Sequence, residues 1–346
     1  MVDDELNGFA DEGLRHASGL GDDYEQLWVA LGQAVRSGKR VRSALLLAAY
    51  RAYGGGDDPV VARVAAGIEL LHTAFVVHDD VIDKDLRRRG EPNVSGVFVR
   101  RAELHGADEG GRQTLGLAAG VLAGDLALTG AISAIAMCGA DGSTTRTLLD
   151  QVTQALRISA AGELDDVVMG VSSHAAQASG HSLGDIITME ERKTAVYTFQ
   201  LPLQAGATLA GASRATVEAL GTVGRLAGIG FQLVDDLRGV FCDEATTGKS
   251  ALGDLREGKL TALVAHARGT ESWPAIAPYV GDVTLDDERA GEAQLLLEEC
   301  GSRAFVERLA ESYLDAAVST AAQARVPTSL VTDLVDLCRR IMRSAA

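Results

Sequence analysis

Phe75-Val76-Val77-His78-Asp79-Asp80-Val81-Ile82-Asp83 sets three carboxylates inside an apolar run. Read as a helix, the stretch brings Asp79 and Asp83 onto one face, about 6 Å apart along the axis, with Asp80 turned roughly 100° away. Like charges at that spacing repel, so an apolar helix excludes them unless a metal or a cationic ligand restores the balance. Oxygen ligands favour a hard ion, and Mg²⁺ typically takes one or two carboxylates and completes its shell with water and substrate phosphate. The pair therefore points to a phosphorylated substrate. The competing reading of any isolated DDxxD pattern is a solvated acidic helix end.

Neighbouring sequence weighs against that alternative. Arg87-Arg88-Arg89-Gly90 follows directly and supplies guanidinium groups suited to phosphate oxygens, and Gly38-Lys39-Arg40-Val41-Arg42 provides a second basic cluster upstream. In a chain of formal net charge −16, such clusters are local exceptions. The overall charge argues for solubility and against nucleic-acid binding, while the clusters read as bounded anion sites. A second aspartate pair, Asp235-Asp236, again follows an apolar run, Gly230-Phe231-Gln232-Leu233-Val234.

At this point the residues match a family. Glu69-Leu70-Leu71-His72-Thr73-Ala74-Phe75 leading into the first aspartates, then Arg88-Arg89-Gly90-Glu91-Pro92, resembles the first aspartate-rich motif of the trans-isoprenyl diphosphate synthases, the polyprenyl synthetases that include geranylgeranyl and farnesyl diphosphate synthases. The run from Gly230 to Asp236, Thr247-Gly248-Lys249 and Asp254-Leu255-Arg256-Glu257-Gly258-Lys259 resemble the second motif and its trailing lysines. The resemblance covers residues 38–259, in the family's order and spacing.

The resemblance implies an enzyme that ionises an allylic diphosphate and lets the double bond of isopentenyl diphosphate attack the resulting carbocation. It assigns Asp79, Asp83 and Asp235 to two or three Mg²⁺ ions, with Mn²⁺ as a substitute, and gives Asp80 and Asp236 supporting roles. Arg88, Lys193, Lys249 and Lys259 would hold the allylic diphosphate, while Thr194 and Gln232 would orient dipoles toward the cation. Gly38, Lys39, Arg42, His72 and Arg89 match the positions that hold isopentenyl diphosphate. The chemistry agrees, because diphosphate leaves only once its charge is neutralised, and one electrostatic donor in such a site is worth roughly 3 kcal/mol.

Some positions depart from the pattern. Asp235-Asp236-Leu237-Arg238-Gly239 ends in a glycine that cannot bind metal, although Asp243 lies on the same face if the helix continues. Ser37 and Ser43 replace a usual glycine and proline. Taken alone, His72 reads as a satisfied core histidine, Arg87 as a helix-end charge and Lys193 as a surface ion pair. His174 and His181 fall in a Ser/Ala/Gly-rich stretch, residues 172–184, read as a loop without a metal role.

Composition frames the fold. With 346 residues and 47% hydrophobic content the chain can bury a large core. Proline is absent between Pro92 and Pro202, alternating strand patterns are scarce, and no linker or repeat divides the sequence. The expectation is one all-α domain over residues 1–346, a large helical bundle around a deep central cavity, with residues 1–23 as a flexible lead-in. Residues 115–140 are long and apolar enough for a membrane span, but Asp125 interrupts them and their small residues suit close packing, so they are read as a buried helix. No secretory pattern or membrane anchor is read at the N-terminus. The scattered Cys138, Cys242, Cys300 and Cys338 suggest reduced thiols in a cytoplasm. The resemblance also implies a homodimer.

Product length turns on Phe75 and Ala74. Phe75 lies one helical turn before Asp79, about 6 Å; the resemblance implies that this position and Ala74 beside it form part of the pocket floor, where an aromatic shortens products and a small residue opens room. The balance favours geranylgeranyl over farnesyl diphosphate. Two other readings share part of the pattern. A class I terpene cyclase needs no isopentenyl site, and a non-catalytic subunit of a heteromeric synthase would be free to lose the intact first motif.

Overall fold

Helix starts are written into the sequence by capping residues. Asp58 accepts from the Val60 N–H, with Pro59 at the first helical position; Asn93 and Asp108 open the next two helices in the same way. The computed structural model describes residues 1–174, 180–241 and 253–343. Its elements are α1 (Val2–Ala17), α2 (Asp22–Arg36), α3 (Val41–Ala52), α4 (Pro59–Ile82), a two-residue ladder of β1 (Arg87–Arg88) and β2 (Glu91–Pro92), α5 (Val94–Leu104), α6 (Glu109–Ala136) and α7 (Gly142–His174). Then follow α8 (Leu183–Glu190), a π-helix (Glu191–Gln200), α9 (Leu201–Leu209) and α10 (Arg214–Phe241). The remaining helices are α11 (Gly253–Glu257), α12 (Ala262–Arg268), α13 (Trp273–Ile276), α14 (Asp287–Glu299), α15 (Ser302–Gln323) and α16 (Thr328–Arg343). The fold is all-α, as expected.

Two compact units divide the chain, Met1–Asp150 with Thr208–Gly211, and Gln151–Ala207 with Ala212–Ala346. In the first, α4 is the axis. Val64, Ile68, Leu71 and Ala74 are buried along it, each large aliphatic contributing about 1.5–3 kcal/mol by its removal from water. Its main partner is α6, and the approach is close because α6 offers glycine where α4 offers bulk. A Cβ at Gly120 would lie 2.2 Å from Val81 Cγ2, and one at Gly124 would lie 2.1 Å from His78 Nε2. Residues 1–23, expected as a loose lead-in, instead carry α1, whose Leu6, Ala10, Gly13 and Ala17 are buried.

The second unit is built on α10. Leu233, Val234, Leu237 and Val240 enter a core with Leu263, Leu297, Val306 and Ala310. Ten residues of π-helix pack against α10, where a Cβ at Gly228 would come within 2.6 Å of Ala195 Cβ. The wide π turn is rare and clusters at functional sites.

Two other expectations change. α7 runs to His174 and α8 begins at Leu183 under a Ser182/Asp185 capping box, so the loop read over 172–184 is shorter; His181 lies in the connection. α4 and α6 are both long and apolar enough to cross a membrane by composition. α4 is mostly buried, but α6 buries only one face, with Leu117 58% and Leu122 55% exposed. Cys138, Cys300 and Cys338 are free thiols, and Cys242 lies outside the described residues.

Candidate active site

In the first unit, α4 delivers the aspartates as its last turn. Asp83 caps the helix with its N–H donating to the Asp79 carbonyl at 2.8 Å, so the four-residue spacing holds to the end. Asp79 is half-buried, Asp83 exposed and Asp80 buried, the division expected from the helical angle. Arg88 donates to Asp80 Oδ1 from Nε at 2.9 Å and Nη2 at 2.6 Å, and lies 3.6 Å from Asp79 Oδ2. Burial raises the Asp80 pKa despite this guanidinium. Asp80 therefore grips and aims Arg88.

The hairpin explains the string Arg87-Arg88-Arg89-Gly90. Arg87 pairs with Pro92 and Arg88 with Glu91, leaving Arg89 and Gly90 as a two-residue loop with φ of 54° and 77°. Positive φ at both positions is what such a loop demands. Arg89 accepts a strained conformation and is presented to solvent.

A second basic group sits between α2 and α3. Gly38 has φ 127°, Lys39 is exposed and Arg42 lies in the first turn of α3. The buried Glu69 of α4 accepts from the Ser43 N–H at 2.8 Å, tying that turn to the helix that carries His72 three residues later. Burial, then Arg42, Arg88, Arg89 and Arg40, hold the His72 pKa well below its ordinary value. At neutral pH it is an uncharged imidazole with one N–H to donate. Ala74 is buried and Phe75 half-buried on the same helix.

The second unit holds the other group. Asp235 is exposed and Asp236 only 4% exposed, the same outward and inward split as in the first motif. Gln232 Nε2 donates to Asp236 Oδ1 at 2.8 Å, so this amide orients the aspartate, a role the sequence did not suggest. Glu190, also 4% exposed, faces Asp236. Burial first, and Asp236 next, push the Glu190 pKa well above 4.5, while Lys259 opposes the shift.

Lys193 and Thr194 ride on the π-helix, both half-buried. Lys193 Nζ lies 2.7 Å from Asp166 Oδ2 and 3.2 Å from Glu163 Oε1 of α7. α7 comes this near because residue 162 is glycine, where a Cβ would lie 2.3 Å from the Lys193 nitrogen. Reasoning from sequence missed Glu163, Asp166 and Glu190; the signal was a glycine followed by acids on an otherwise ordinary helix. Lys249 and Asp243 lie outside the described residues.

The described site is thus an aspartate pair at the end of one helix, ion-paired to Arg88, and a second on α10, in an all-α fold. The chain belongs to the polyprenyl synthetase family, whose model matches residues 25–279. It is 31% identical over 313 residues to a (2E,6E)-farnesyl diphosphate synthase of Mycobacterium bovis, covering 88% of this chain and 79% of that one. It is also 31% identical over 293 residues to a geranylgeranyl diphosphate synthase of Methanosarcina mazei, covering 84% and 82%. Among solved structures, a Corynebacterium glutamicum geranylgeranyl pyrophosphate synthase complexed with isoprenyl diphosphate and magnesium superposes with a TM-score of 0.88 at 28% identity, covering 99% and 97%. The chain is a prenyltransferase, a short-chain trans-isoprenyl diphosphate synthase.

Proposed function

We propose that the enzyme condenses isopentenyl diphosphate with an allylic diphosphate and that its main product is geranylgeranyl diphosphate. The observation that carries the reading is the last turn of α4, where Asp79 and Asp83 share a face and Arg88 is aimed by Asp80.

The donor set fits Mg²⁺. It is all oxygen, and among the described residues no cluster of three or more His, Cys, Asp or Glu side chains is preassembled, which suits an ion that brings water and substrate phosphate with it. Asp79, Asp83 and Asp235 would hold two or three such ions, with Mn²⁺ as a substitute. Bound metal supplies neutralisation of the departing diphosphate.

The chain's own residues do the rest. Arg88, Lys193, Lys259 and Lys249 offset the remaining charge, most strongly once the leaving group has separated, which lowers the barrier to ionisation. Lys39, Arg42 and Arg89 grip isopentenyl diphosphate as cations, and His72 adds one hydrogen bond without adding charge. Thr194 lines the path of the cation, and Gln232 keeps Asp236 in register beside Asp235. The released diphosphate is assigned as the base that takes the final proton.

Product length rests on Phe75 and Ala74. The half-buried Phe75 favours a shorter product, and the relative named for farnesyl diphosphate keeps C15 as the second reading. We further propose a cytoplasmic homodimer, supported by the outer apolar face of α6 at Leu117, Val121, Leu122 and Ile132. The test is turnover of purified enzyme with magnesium, labelled isopentenyl diphosphate and, separately, dimethylallyl, geranyl and farnesyl diphosphates. A labelled C20 product supports the proposal and C15 would move it to farnesyl synthesis. Diphosphate release without label incorporation would indicate a cyclase, and no reaction a subunit awaiting a partner.

A further inference from the structure

Arg40 sits between Lys39 and Arg42 and has no role in the family-based assignment. Its backbone is left-handed, φ 54°, a conformation unfavourable for a non-glycine residue. Something must hold it there. Its guanidinium is spent inward: Nε donates to Asp3 Oδ1 at 2.8 Å, Nη1 to the Ser37 carbonyl at 3.0 Å and Nη2 to the Arg36 carbonyl at 3.1 Å. The last two are carbonyls at the C-terminal end of α2, and Asp3 belongs to the first turn of α1.

The backbone of the same residue starts another helix. Arg40 is the N-cap of α3, and its carbonyl accepts from the Ala44 N–H at 3.0 Å and from the Ser43 hydroxyl at 3.1 Å. One residue thus joins the start of α1, the end of α2 and the start of α3. The neighbouring Arg36 repeats the attachment, with Nη2 2.5 Å from Asp11 Oδ1 and Nε 3.1 Å from Asn7 Oδ1, and Glu5 lies 3.6 Å from Arg63 of α4. α1 lies wholly before residue 25, where the family match begins.

We propose that Arg40, held by Asp3 of α1, is a positioning residue for isopentenyl diphosphate: it fixes the strained turn that presents Lys39 and Arg42. The inference rests on the substrate reading above. Because Arg40 spends its donors on α1 and α2, the diphosphate is left to Lys39 and Arg42, and the arginine acts through its neighbours. Lysine cannot replace it, since one ammonium cannot reach a carboxylate and two carbonyls in the planar fork geometry.

The experiment compares wild type, R40A, R40K and D3N in steady-state kinetics, with binding of isopentenyl diphosphate alone followed by calorimetry. R40A and R40K should raise KM for isopentenyl diphosphate about tenfold and weaken its binding equally, while kcat and KM for the allylic substrate stay within about twofold. D3N, an exposed change that leaves the α2 carbonyl bonds in place, should raise the same KM about two- to threefold. R40A unfolded by circular dichroism would shift the decision to D3N and R40K. Folded variants that bind like wild type, or that raise both KM values alike, overturn the inference alone. Wild type that binds no isopentenyl diphosphate overturns the substrate reading and this inference with it.

Discussion

Gly120 offers the sharpest test of how the first motif is held. A Cβ there would lie 2.2 Å from Val81 Cγ2 and 2.7 Å from the buried Ser95 hydroxyl, where carbon contacts normally rest near 3.5–4.0 Å. Ser95 can rotate. Val81 cannot easily do so, because a β-branched side chain in a helix is confined to essentially one rotamer. α4 must therefore shift to admit the methyl group. Overpacking of this kind costs about 1–3 kcal/mol, and the gain from replacing a helical glycine by alanine returns about 1 kcal/mol. The net expectation for G120A is a loss of about 0–2 kcal/mol, read as a lower urea midpoint.

Activity should suffer more than stability. Val81 lies between Asp80 and Asp83, so the displaced helix carries the carboxylates with it, and a misplacement near 1 Å can cost about a hundredfold in rate. The decisive control is the double-mutant cycle with V81A, which removes the colliding methyl. In that background G120A should cost nothing or stabilise by about 1 kcal/mol, and kcat should partly recover. G120A more stable than wild type, or the same effect of G120A in both backgrounds, would refute the account of α4 and α6 as a glycine-fitted pair.

Three further outcomes are expected. D79N and D235N should each lower kcat about a hundredfold at saturating magnesium, measured by diphosphate release, since each removes an electrostatic contribution of roughly 3 kcal/mol. Glu190 has a folded pKa above its ordinary 4.5, so its contribution to stability is full below that value and is lost as pH climbs from there through the folded pKa. Wild type should lose stability across that rise while E190Q, with nothing to ionise, stays flatter; parallel urea midpoints across the range would contradict it. Burial pushes the Cys338 thiol up to about 12, so Cys338 should resist an aromatic disulfide reagent at pH 8 until the protein unfolds, as judged by peptide mass spectrometry.

The fold was legible because its signals are local. Long apolar runs, scarce proline and few alternating strand patterns announce helices without help from tertiary contacts. Two misreadings share a physical cause. Residues 115–140 carry the same apolar composition on both faces, so periodicity could not show that α6 buries its small residues and exposes Leu117 and Leu122. Residues 1–23 are acidic and read as loose, yet α1 is fastened by arginines that lie beyond its own sequence, at positions 36, 40 and 63. Sequence near a helix does not reveal a partner that distant.

The candidate site divides along the same line. Helical angle separates Asp79 from Asp80 in the first motif, where Asp79 is half-buried and Asp80 buried; in the second, Asp235 is exposed and Asp236 buried. Their supports were not read from the sequence: Gln232 reaches Asp236 one turn along α10, Arg88 reaches Asp80 from the adjoining hairpin, and Glu190 meets Asp236 from a different helix. Each pair thus sets a more accessible carboxylate beside a buried one tied into the fold. That division bears on the missing aspartate at Gly239. In the first motif Asp79 and Asp83 share one face, whereas in the described part of the second motif Asp235 is exposed and its neighbouring acids Asp236 and Glu190 are turned inward. A metal held by one carboxylate depends on substrate phosphate for the rest of its shell. On that reasoning the ion at Asp235 arrives with the allylic diphosphate, and magnesium titrated without substrate should register only the sites of the first motif.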